Sequence, residues 1–313
     1  MIQLFHKCYS ERRRKSMRYV VLLVLASLFW AGNFIVGKGL AAMAAPDTLT
    51  TLRYAIAAAV LLPLIAFREK KVLPPARAWL PLLGMGITGV VLFNVLQFLA
   101  LDQTTAANVG IISTLNTFSI ALCAALLLRE RIRPLQFGAM LISFGGVLLV
   151  MTNGRMPAVD TIQSGDLWMT AAVVVFGLYS VCSRWATRDV SPMMSVCWSG
   201  IIGIIILLPF NLHRFALPPV DAAFTGALLY ISLVATILCM VFWGHGVKHL
   251  GASTAGLFLN LNPVFTAVLA FVFLGESLTW IQAAGTSLVI GGCIAYTQVP
   301  KVVVAPKKHV EAA

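Results

Sequence analysis

One arginine and a set of amide side chains lie within long apolar stretches of this sequence. Arg53 is the charged residue that stands well inside such a stretch. If the stretch crosses a bilayer, a lone guanidinium costs about 2.5–3.5 kcal/mol there, so it must face protein or a water-filled cavity. A guanidinium among amides suits a carboxylate, which it binds through charge-assisted hydrogen bonds. The amides that we assign to the same pathway are Asn33, Asn94, Gln97, Asn108, Asn116 and Asn262.

Each of these side chains also has an ordinary structural explanation. Arg53 stands about one and a half turns from the end of its stretch, from where its side chain can reach the lipid headgroups. Lys38 ends the first stretch, where an anchoring or topological role is at least as well supported as contact with a ligand. Asn and Gln in lipid also hydrogen-bond between helices. We expect Arg53 to mark a pathway, and the convergence of the amides around it is an assumption.

The residues that would support catalysis or cofactor binding are not clustered. The eleven acidic residues are dispersed over loops and tails, and the six cysteines stand singly, without CxxC spacing. Gly84-x-Gly86-x-x-Gly89 matches a dinucleotide fingerprint by spelling, but it lies in an apolar stretch without the strand that the mechanism requires. There is no Gly-Lys-Ser/Thr nucleotide loop either. We predict no catalytic residue, no metal site and no cofactor, and attribute the glycines to close helix packing.

Three titratable residues at the ends of apolar stretches are assigned structural roles. Glu130 and Glu276 end two of the stretches, and a capping or loop role fits them better than a proton relay because neither lies deep. His245 has a suitable unperturbed pKa for a switch near neutral pH, but a lone histidine at a helix end is usually structural.

Composition places all of these residues in a membrane protein. The chain has 313 residues, of which 59% are hydrophobic and 11% charged, with a mean hydropathy of +0.90. These values exclude an ordinary soluble fold. The formal charge of +12 would suggest nucleic acid in a soluble chain. Here the basic residues sit in short loops, so we expect no nucleic-acid partner and take the bilayer as the surroundings.

Ten apolar runs are long enough to cross a bilayer, which needs about twenty residues per helix. Of the 23 Lys and Arg residues, 19 fall on one side if the N-terminus is cytoplasmic, which sets the orientation. The sequence therefore predicts an all-α integral membrane protein with both termini cytoplasmic. Basic tails occupy 1–18 and 299–313, and a start at Met17 would make the first sixteen residues dispensable. The runs lie near 19–38, 48–67, 79–99, 107–128, 134–152, 167–187, 193–212, 222–244, 253–274 and 280–298.

The two halves of the sequence repeat one pattern at a constant offset of 146 positions. We name residues 19–152 the N-terminal half and residues 165–298 the C-terminal half. Each half holds five spans, an odd number, so the two copies must enter the membrane in opposite directions. Inverted repeats are typical of secondary transporters, which place the substrate at the repeat interface. The matching positions include Lys38 and Arg184, Pro46 and Pro192, Pro63 and Pro209, Asn116 and Asn262, Glu130 and Glu276, and Gly145-Gly146 and Gly291-Gly292.

Several motifs resemble the drug/metabolite transporter superfamily in its ten-span EamA branch. The motifs are Trp30-Ala31-Gly32-Asn33-Phe34 with Lys38, Arg53, Asn262-Pro263 with Leu274-Gly275-Glu276, and the paired Gly-Gly spans. The resemblance covers about 19–298 and implies export of amino acids, metabolites or toxic small molecules, commonly from the bacterial cytoplasm. It does not specify the substrate.

The fourth and ninth runs carry amides near mid-depth, and the two runs differ at one position. Pro263 follows Asn262 and can bend the ninth run near residue 259, whereas Thr117 follows Asn116, so a proline break cannot be assumed in the fourth run. Asn260 and Asn262 point about 200° apart on a regular helix. We expect Asn262 or the bend to reach the pathway and Asn260 to brace a neighbouring helix.

Aromatic residues are candidates for the apolar walls of a solute cavity. Trp30, Tyr179 and Trp243 are assigned to the pathway, with Trp198 as a further candidate wall, although packing explains Trp30 and Tyr179 equally well. Trp168 and Trp280 begin their spans and are typical belt anchors.

These features predict a secondary transporter that exports small organic solutes across the cytoplasmic membrane by alternating access. Its expected partners are the solute and the bilayer. Proton coupling, exchange and facilitation all stay open, as does the oligomeric state, with a monomer included. Two other functions compete, namely a membrane-embedded enzyme and a scaffold that transports nothing. An enzyme would need clustered acids, histidines or metal ligands, and a scaffold would need long loops or extra domains.

Overall fold

The computed structural model describes residues 2–104, 106–152, 163–214, 220–265, 268 and 279–299. Side chains are described from Met17 onward, except at 106–108, 111, 150–152, 211–214 and 282 within those ranges. The predicted roles of Glu276 and of the tail from 300 onward therefore lie outside the described residues. All regular elements in these ranges are helices, so the all-α class predicted from composition is confirmed for the described chain.

Eleven helices are numbered here in chain order, and 261–265 is a further short helical segment of the described residues. Six of them are long and apolar enough to cross a membrane, namely the first from Met17, the second, the third, the seventh, the eighth to Phe210, and the ninth. Shorter apolar helices lie at Asn116–Leu127 and Pro134–Leu149. The helices are α1 Ile2–Ala41, α2 Pro46–Glu69, α3 Ala76–Gln103, α4 Ala106–Ser113, α5 Asn116–Leu127, α6 Pro134–Thr152, α7 Ser164–Asp189, α8 Pro192–Arg214, α9 Ala222–Leu250, α10 Ala252–Leu257 and α11 Trp280–Gln298.

Two of the predicted spans are interrupted. The fourth run is divided into α4 and α5 by a turn at Thr114 and Leu115. In the ninth run, a 3₁₀ turn at Phe258–Asn260 follows α10, and helix resumes at 261–265. A proline break could not be assumed for the fourth run, and the interruption there occurs before Asn116 without a proline. The amide of Leu115 there bonds to the Ile112 carbonyl, which tightens the turn to the 3₁₀ type.

A short π-helical segment lies in the middle of both α3 and α9. The segments are Gly86–Leu92 and Tyr230–Leu238, and their last residues are 146 positions apart. A π segment shifts the hydrogen-bond pattern by one residue and leaves backbone carbonyls available to side chains. Such segments are frequent at functional sites, and both of these lie next to the cavity described below.

Helix boundaries recur at the same offset of 146. Pro46 and Pro192 open α2 and α8, and Pro134 and Trp280 open α6 and α11. Packing follows the same pattern, because the first long helix of each half contacts the third of the other. Thus α1 packs against α9 and α7 packs against α3, while α2 packs against its counterpart α8.

The helices α6 and α11 pack closely through two glycines. A Cβ added at Gly146 would lie 2.6 Å from the carbonyl oxygen of Gly285, and one added at Gly292 would lie 2.8 Å from the carbonyl oxygen of Ala139. The C-terminal part of α6, at Gly146, therefore contacts the N-terminal part of α11, at Gly285. The N-terminal part of α6, at Ala139, contacts the C-terminal part of α11, at Gly292. The two helices run antiparallel, and each contact has a counterpart at the equivalent positions, as two-fold symmetry requires.

Candidate functional site

A cavity of about 40 Å³ lies between the two halves. It admits a few water molecules, so an organic solute requires the surrounding helices to move apart. Polar side chains reach it from α1, α2, α3 and both interrupted spans. They are Asn33, Arg53, Asn94, Gln97, Ser113, Asn116 and Asn262.

Arg53 is the charged group of this cavity, and only 2% of its surface is exposed. Its Nε–H donates to Thr236 Oγ1 of α9, and Nη1 donates to Asn94 Oδ1 of α3 at 2.9 Å. The guanidinium therefore ties α2 to one helix from each half. A side chain that reached the headgroups would be exposed, so the alternative in which Arg53 extends to the membrane surface is wrong.

Both partners of Arg53 are oriented by the π segments. Asn94 Nδ2 donates to the carbonyl oxygens of Gly89 and Val90 at 2.7 Å and 3.1 Å. Thr236 Oγ1 donates to the Ile231 carbonyl at 2.7 Å, five residues back along α9. These bonds use carbonyls within the π segments and leave Asn94 Oδ1 and the lone pairs of Thr236 Oγ1 for the guanidinium.

Within the described part of the chain, the hydrogen-bond partners of Arg53 are all neutral. A guanidinium carries five N–H donors, and the two bonds to Thr236 and Asn94 use two of them. None of the described carboxylates forms a salt bridge with it. As far as the structure is described, the site thus presents a cation without a paired carboxylate and with spare donors, the arrangement that favours a carboxylate.

Two amide oxygens next to the cavity offer the opposite chemistry. Asn33 Oδ1 and Asn116 Oδ1 are buried and accept no hydrogen bond from the described residues. A buried acceptor without a donor is costly, so a water or a solute donor is expected there. The cavity can therefore accept a carboxylate at Arg53 and a hydroxyl or ammonium donor at the amides.

The remaining wall is apolar, and the C-terminal half contributes apolar residues to the lining apart from Asn262. Four pairs of lining residues stand 146 positions apart, which places the cavity where the halves meet. Asn116 and Asn262 are alike, but the other pairs replace a polar or indole group by a fully apolar one. The pairs are Trp30 and Phe176, Asn94 and Met240, Ser113 and Leu259, and Asn116 and Asn262.

Most of the predicted site residues meet at this cavity, and two do not. Trp30, Asn33, Arg53, Asn94, Gln97, Asn116 and Asn262 line it. Tyr179 lies against Gly89 instead, and its hydroxyl reaches Met240 Sδ at 3.5 Å. Trp243 is fully buried behind the wall, 5.8 Å from both Trp30 and Phe176 between ring centroids. Neither side chain is among the residues that line the cavity, although both contact residues that do. The side chain of Asn108 lies outside the described residues.

Other predicted residues have structural positions. Trp198 donates to the Val72 carbonyl at 2.8 Å in an exposed setting, so it forms no cavity wall. Lys38 donates to the carbonyls of Leu101 and Thr104 at the end of α3. Arg184 donates to the carbonyls of Val247, which is equivalent to Leu101, and of Lys248 at the end of α9. Cations at helix C-termini stabilise the helix dipole, which gives Lys38 a capping role.

The amides near mid-depth separate as their spacing predicted. Asn260 accepts a hydrogen bond from Thr117 Oγ1 at 2.7 Å and donates to Ser143 Oγ at 3.0 Å. It therefore braces α5 and α6, while Asn262 lines the cavity.

Phe34, Phe93, Ser113, Phe176, Met240 and Leu259 also line the cavity without having been assigned to it from the sequence. Phe176, Met240 and Leu259 had a usable signal, because each stands 146 positions after another lining residue. Phe34 and Phe93 carried none, since an apolar residue in an apolar helix has no distinguishing pattern.

Comparison with known proteins matches one transporter family over nearly the whole chain. The model of the EamA-like transporter family matches twice, over residues 17–152 and 163–298. An uncharacterized transporter of Bacillus subtilis, YyaM, is 29% identical over 287 residues, which is 90% of this chain and 93% of that protein. A protein of Streptantibioticus cattleyicolor named a probable terminal-alkyne amino-acid exporter is 27% identical over 289 residues, covering 89% of this chain and 93% of the relative.

A solved crystal structure has the same fold, with a TM-score of 0.72 at 21% identity, covering 90% of this chain and 97% of the other. The family matches together span most of the sequence, and the relatives are named transporters. The resemblance in the motifs is thereby confirmed, and the chain belongs to the EamA-like transporter family.

Proposed function

We propose that this protein is a secondary transporter that exports small organic solutes bearing a carboxylate across the cytoplasmic membrane. The observation that carries the proposal is the buried guanidinium of Arg53 at a cavity between the two halves, held by neutral partners and with donors to spare. Leaving such a charge uncompensated is costly in lipid surroundings, and a carboxylate is the ligand that relieves this cost.

The bound solute lies with its carboxylate at Arg53 and its apolar part against the C-terminal half. Phe176, Met240 and Leu259 supply that apolar surface. Asn33 and Asn116 supply acceptor oxygens for a donor group on the same solute. The relative from Streptantibioticus cattleyicolor is named for an amino acid, which also bears a carboxylate. For this chain we propose only that the solute bears a carboxylate, and we do not propose a more specific substrate.

The proposed architecture has ten spans in two inverted five-span repeats, 19–152 and 165–298, with both termini in the cytoplasm. Its support is the offset of 146 in helix boundaries and the antiparallel contact of α6 with α11. The exchange of partners, α1 with α9 and α7 with α3, also fits two interlocked copies. In this arrangement the halves rock about the cavity and open it to each side in turn.

Flux measurements in proteoliposomes test the carboxylate. We expect transport of 2-hydroxy-4-methylpentanoate to exceed that of the corresponding amide. In Arg53→Gln the half-saturating concentration of the transported acid should rise about tenfold or more, because hydrogen bonds to a charged group contribute about 1.5–3 kcal/mol. Arg68→Gln is the matched control, since Arg68 is exposed in the last turn of the same helix.

Two kinds of result would contradict different parts of the proposal, namely the carboxylate preference and transport itself. Equal flux of acids and amides, or normal transport by Arg53→Gln, would remove the carboxylate from the proposal. Absence of flux for a broad panel of acids, amides and neutral metabolites, with folded protein in the vesicles, would contradict transport itself.

A further inference from the structure

We propose that the transporter is an exchanger, which carries one monoanionic carboxylate out for each anion of the same class that it carries in, with no net movement of charge. The inference rests on the proposed function, because it takes Arg53 as the site that binds the carboxylate. It adds the mode of transport and selects singly charged anions over zwitterions, since only a net anion neutralises the cavity.

Without a bound solute, the described lining of the cavity carries one full positive charge. Arg53 is buried, and its described partners are the hydroxyl of Thr236 and the amide of Asn94. An arginine does not lose its proton in a protein, so the charge cannot be removed by titration. The buried amide oxygens of Asn33 and Asn116 have no formal charge and therefore cannot cancel it.

No other described group at the cavity can change its charge to match. Arg53 is the one ionisable side chain among the described lining residues. The acidic residues whose side chains are described all lie at helix ends or in connections, away from this lining. They are Asp47, Glu69, Asp102, Glu130, Asp166, Asp189 and Asp221. The described site therefore contains no carrier for a coupled proton.

These charges make the loaded and empty states unequal. Changing from one open side to the other requires an intermediate in which the cavity is closed from both water phases. With a monoanion bound, the closed cavity is neutral. When it is empty, the same step encloses a lone cation in low-dielectric surroundings, which costs free energy. The empty return is then slow, and a second anion on the far side accelerates it.

Counterflow into proteoliposomes tests this mode. Vesicles are prepared at alkaline pH in a buffer that itself contains no chloride. They are loaded with unlabelled 2-hydroxy-4-methylpentanoate, with its amide, with chloride or with buffer alone, and labelled 2-hydroxy-4-methylpentanoate is added outside. Protein-free vesicles give the leak of the protonated acid. We expect the internal acid to raise the initial rate about tenfold or more over buffer alone, as the insertion cost of a lone arginine implies. The amide and chloride should not stimulate uptake, and a membrane potential set with potassium and valinomycin should not alter it.

A variant separates the charge from the rest of the site. In Arg53→Gln the empty cavity is neutral, so any residual flux of the amide should show no requirement for an internal solute. Arg68→Gln should keep the stimulation by internal acid.

Three outcomes would overturn the exchange mode while leaving transport intact: equal rates with and without internal acid, stimulation by chloride equal to that by the acid, or uptake that follows the membrane potential. Loss of all flux in the wild-type protein would instead contradict the proposed function.

Discussion

Two asparagines that stand two positions apart are expected to have different roles. Asn260 is fully buried and bonds to Thr117 and Ser143, whereas Asn262 lines the cavity. Asn260→Ala removes two interhelical hydrogen bonds and should lower stability by about 1–2 kcal/mol. Asn262→Ala should reduce transport more than Asn260→Ala does, because Asn262 lines the cavity. Thermal unfolding in detergent and flux in proteoliposomes measure the two effects.

Each variant is the control for the other, because the substitution is the same and the two positions lie in the same span. A similar loss of stability in both, with equal residual transport per folded molecule, would show that Asn262 is a second brace rather than a cavity residue.

The spacing of Asn260 and Asn262 predicted their different neighbours, whereas the sequence did not predict that Tyr179 and Trp243 lie outside the cavity lining. A helix rotates by about 100° per residue, so positions two apart had to face different neighbours. The functional assignment of Arg53 also followed from a residue type that lipid does not tolerate. Tyr179 and Trp243 gave no such signal, because an aromatic ring is as stable in a packed core as at a cavity wall. Their positions depend on Gly89 and Phe176, which lie far away in the sequence or on another helix.

At the level of helices, adjacent glycines of α6 and α11 should respond with opposite signs to alanine. A Cβ at Gly146 would lie 2.8 Å from the backbone nitrogen of Val289, and one at Gly292 would lie 2.9 Å from that of Ser143. Neither backbone can move away easily. We expect Gly146→Ala and Gly292→Ala to destabilise the protein by about 1–3 kcal/mol, as overpacking does.

Gly145→Ala and Gly291→Ala are the matched controls, since a Cβ at either position meets nothing within 4 Å. These changes should be neutral or stabilise the helix by about 0.5–1 kcal/mol, because alanine has the higher helix propensity. The midpoint of thermal unfolding distinguishes the pairs. Equal shifts for Gly145→Ala and Gly146→Ala would contradict close packing of α6 on α11.

The helices could be predicted from the sequence, but their irregular segments could not. Apolar runs and flanking charges placed the long helices because lipid requires both. The interruption before Asn116 and the π segments of α3 and α9 leave no mark in composition. They depend on which carbonyl each amide bonds to, and in α3 this is linked to the side chain of Asn94. Backbone carbonyls of the π segments orient Asn94 and Thr236, the partners of Arg53. This contribution of the backbone to the site could not be predicted from the sequence.

In the whole molecule, one carboxylate joins the two halves on the side predicted to be cytoplasmic. Glu130 follows Arg129, which has a left-handed backbone with φ of 56°. Its Oε2 accepts a hydrogen bond from Ser253 Oγ at 2.8 Å, and its oxygens lie 3.4 Å from the amide nitrogens of Ala252 and Ser253. Gly251 precedes α10 and has no side chain to cap it. Glu130 of the N-terminal half therefore caps a helix of the C-terminal half, where a negative charge is favoured.

Removing this charge should shift the balance between the access states. Glu130→Gln weakens the contact that holds the halves together on the cytoplasmic side, so the cavity should open there more often. For a contact of about 1 kcal/mol, the opened population should rise about fivefold. Ser113→Cys, in a background without the native cysteines, places a thiol at the cavity. Its reaction with a membrane-impermeant maleimide applied from the cytoplasmic side measures that opening.

Asp221→Asn provides a control of the same chemical kind. Asp221 caps α9 by accepting a hydrogen bond from the Phe224 amide at 2.7 Å, entirely within the C-terminal half. Its loss should weaken one helix end without separating the halves, so the labelling rate at Ser113→Cys should stay at the wild-type value. If Glu130→Gln labels no faster than Asp221→Asn, the contact between Glu130 and Ser253 does not govern access to the cavity.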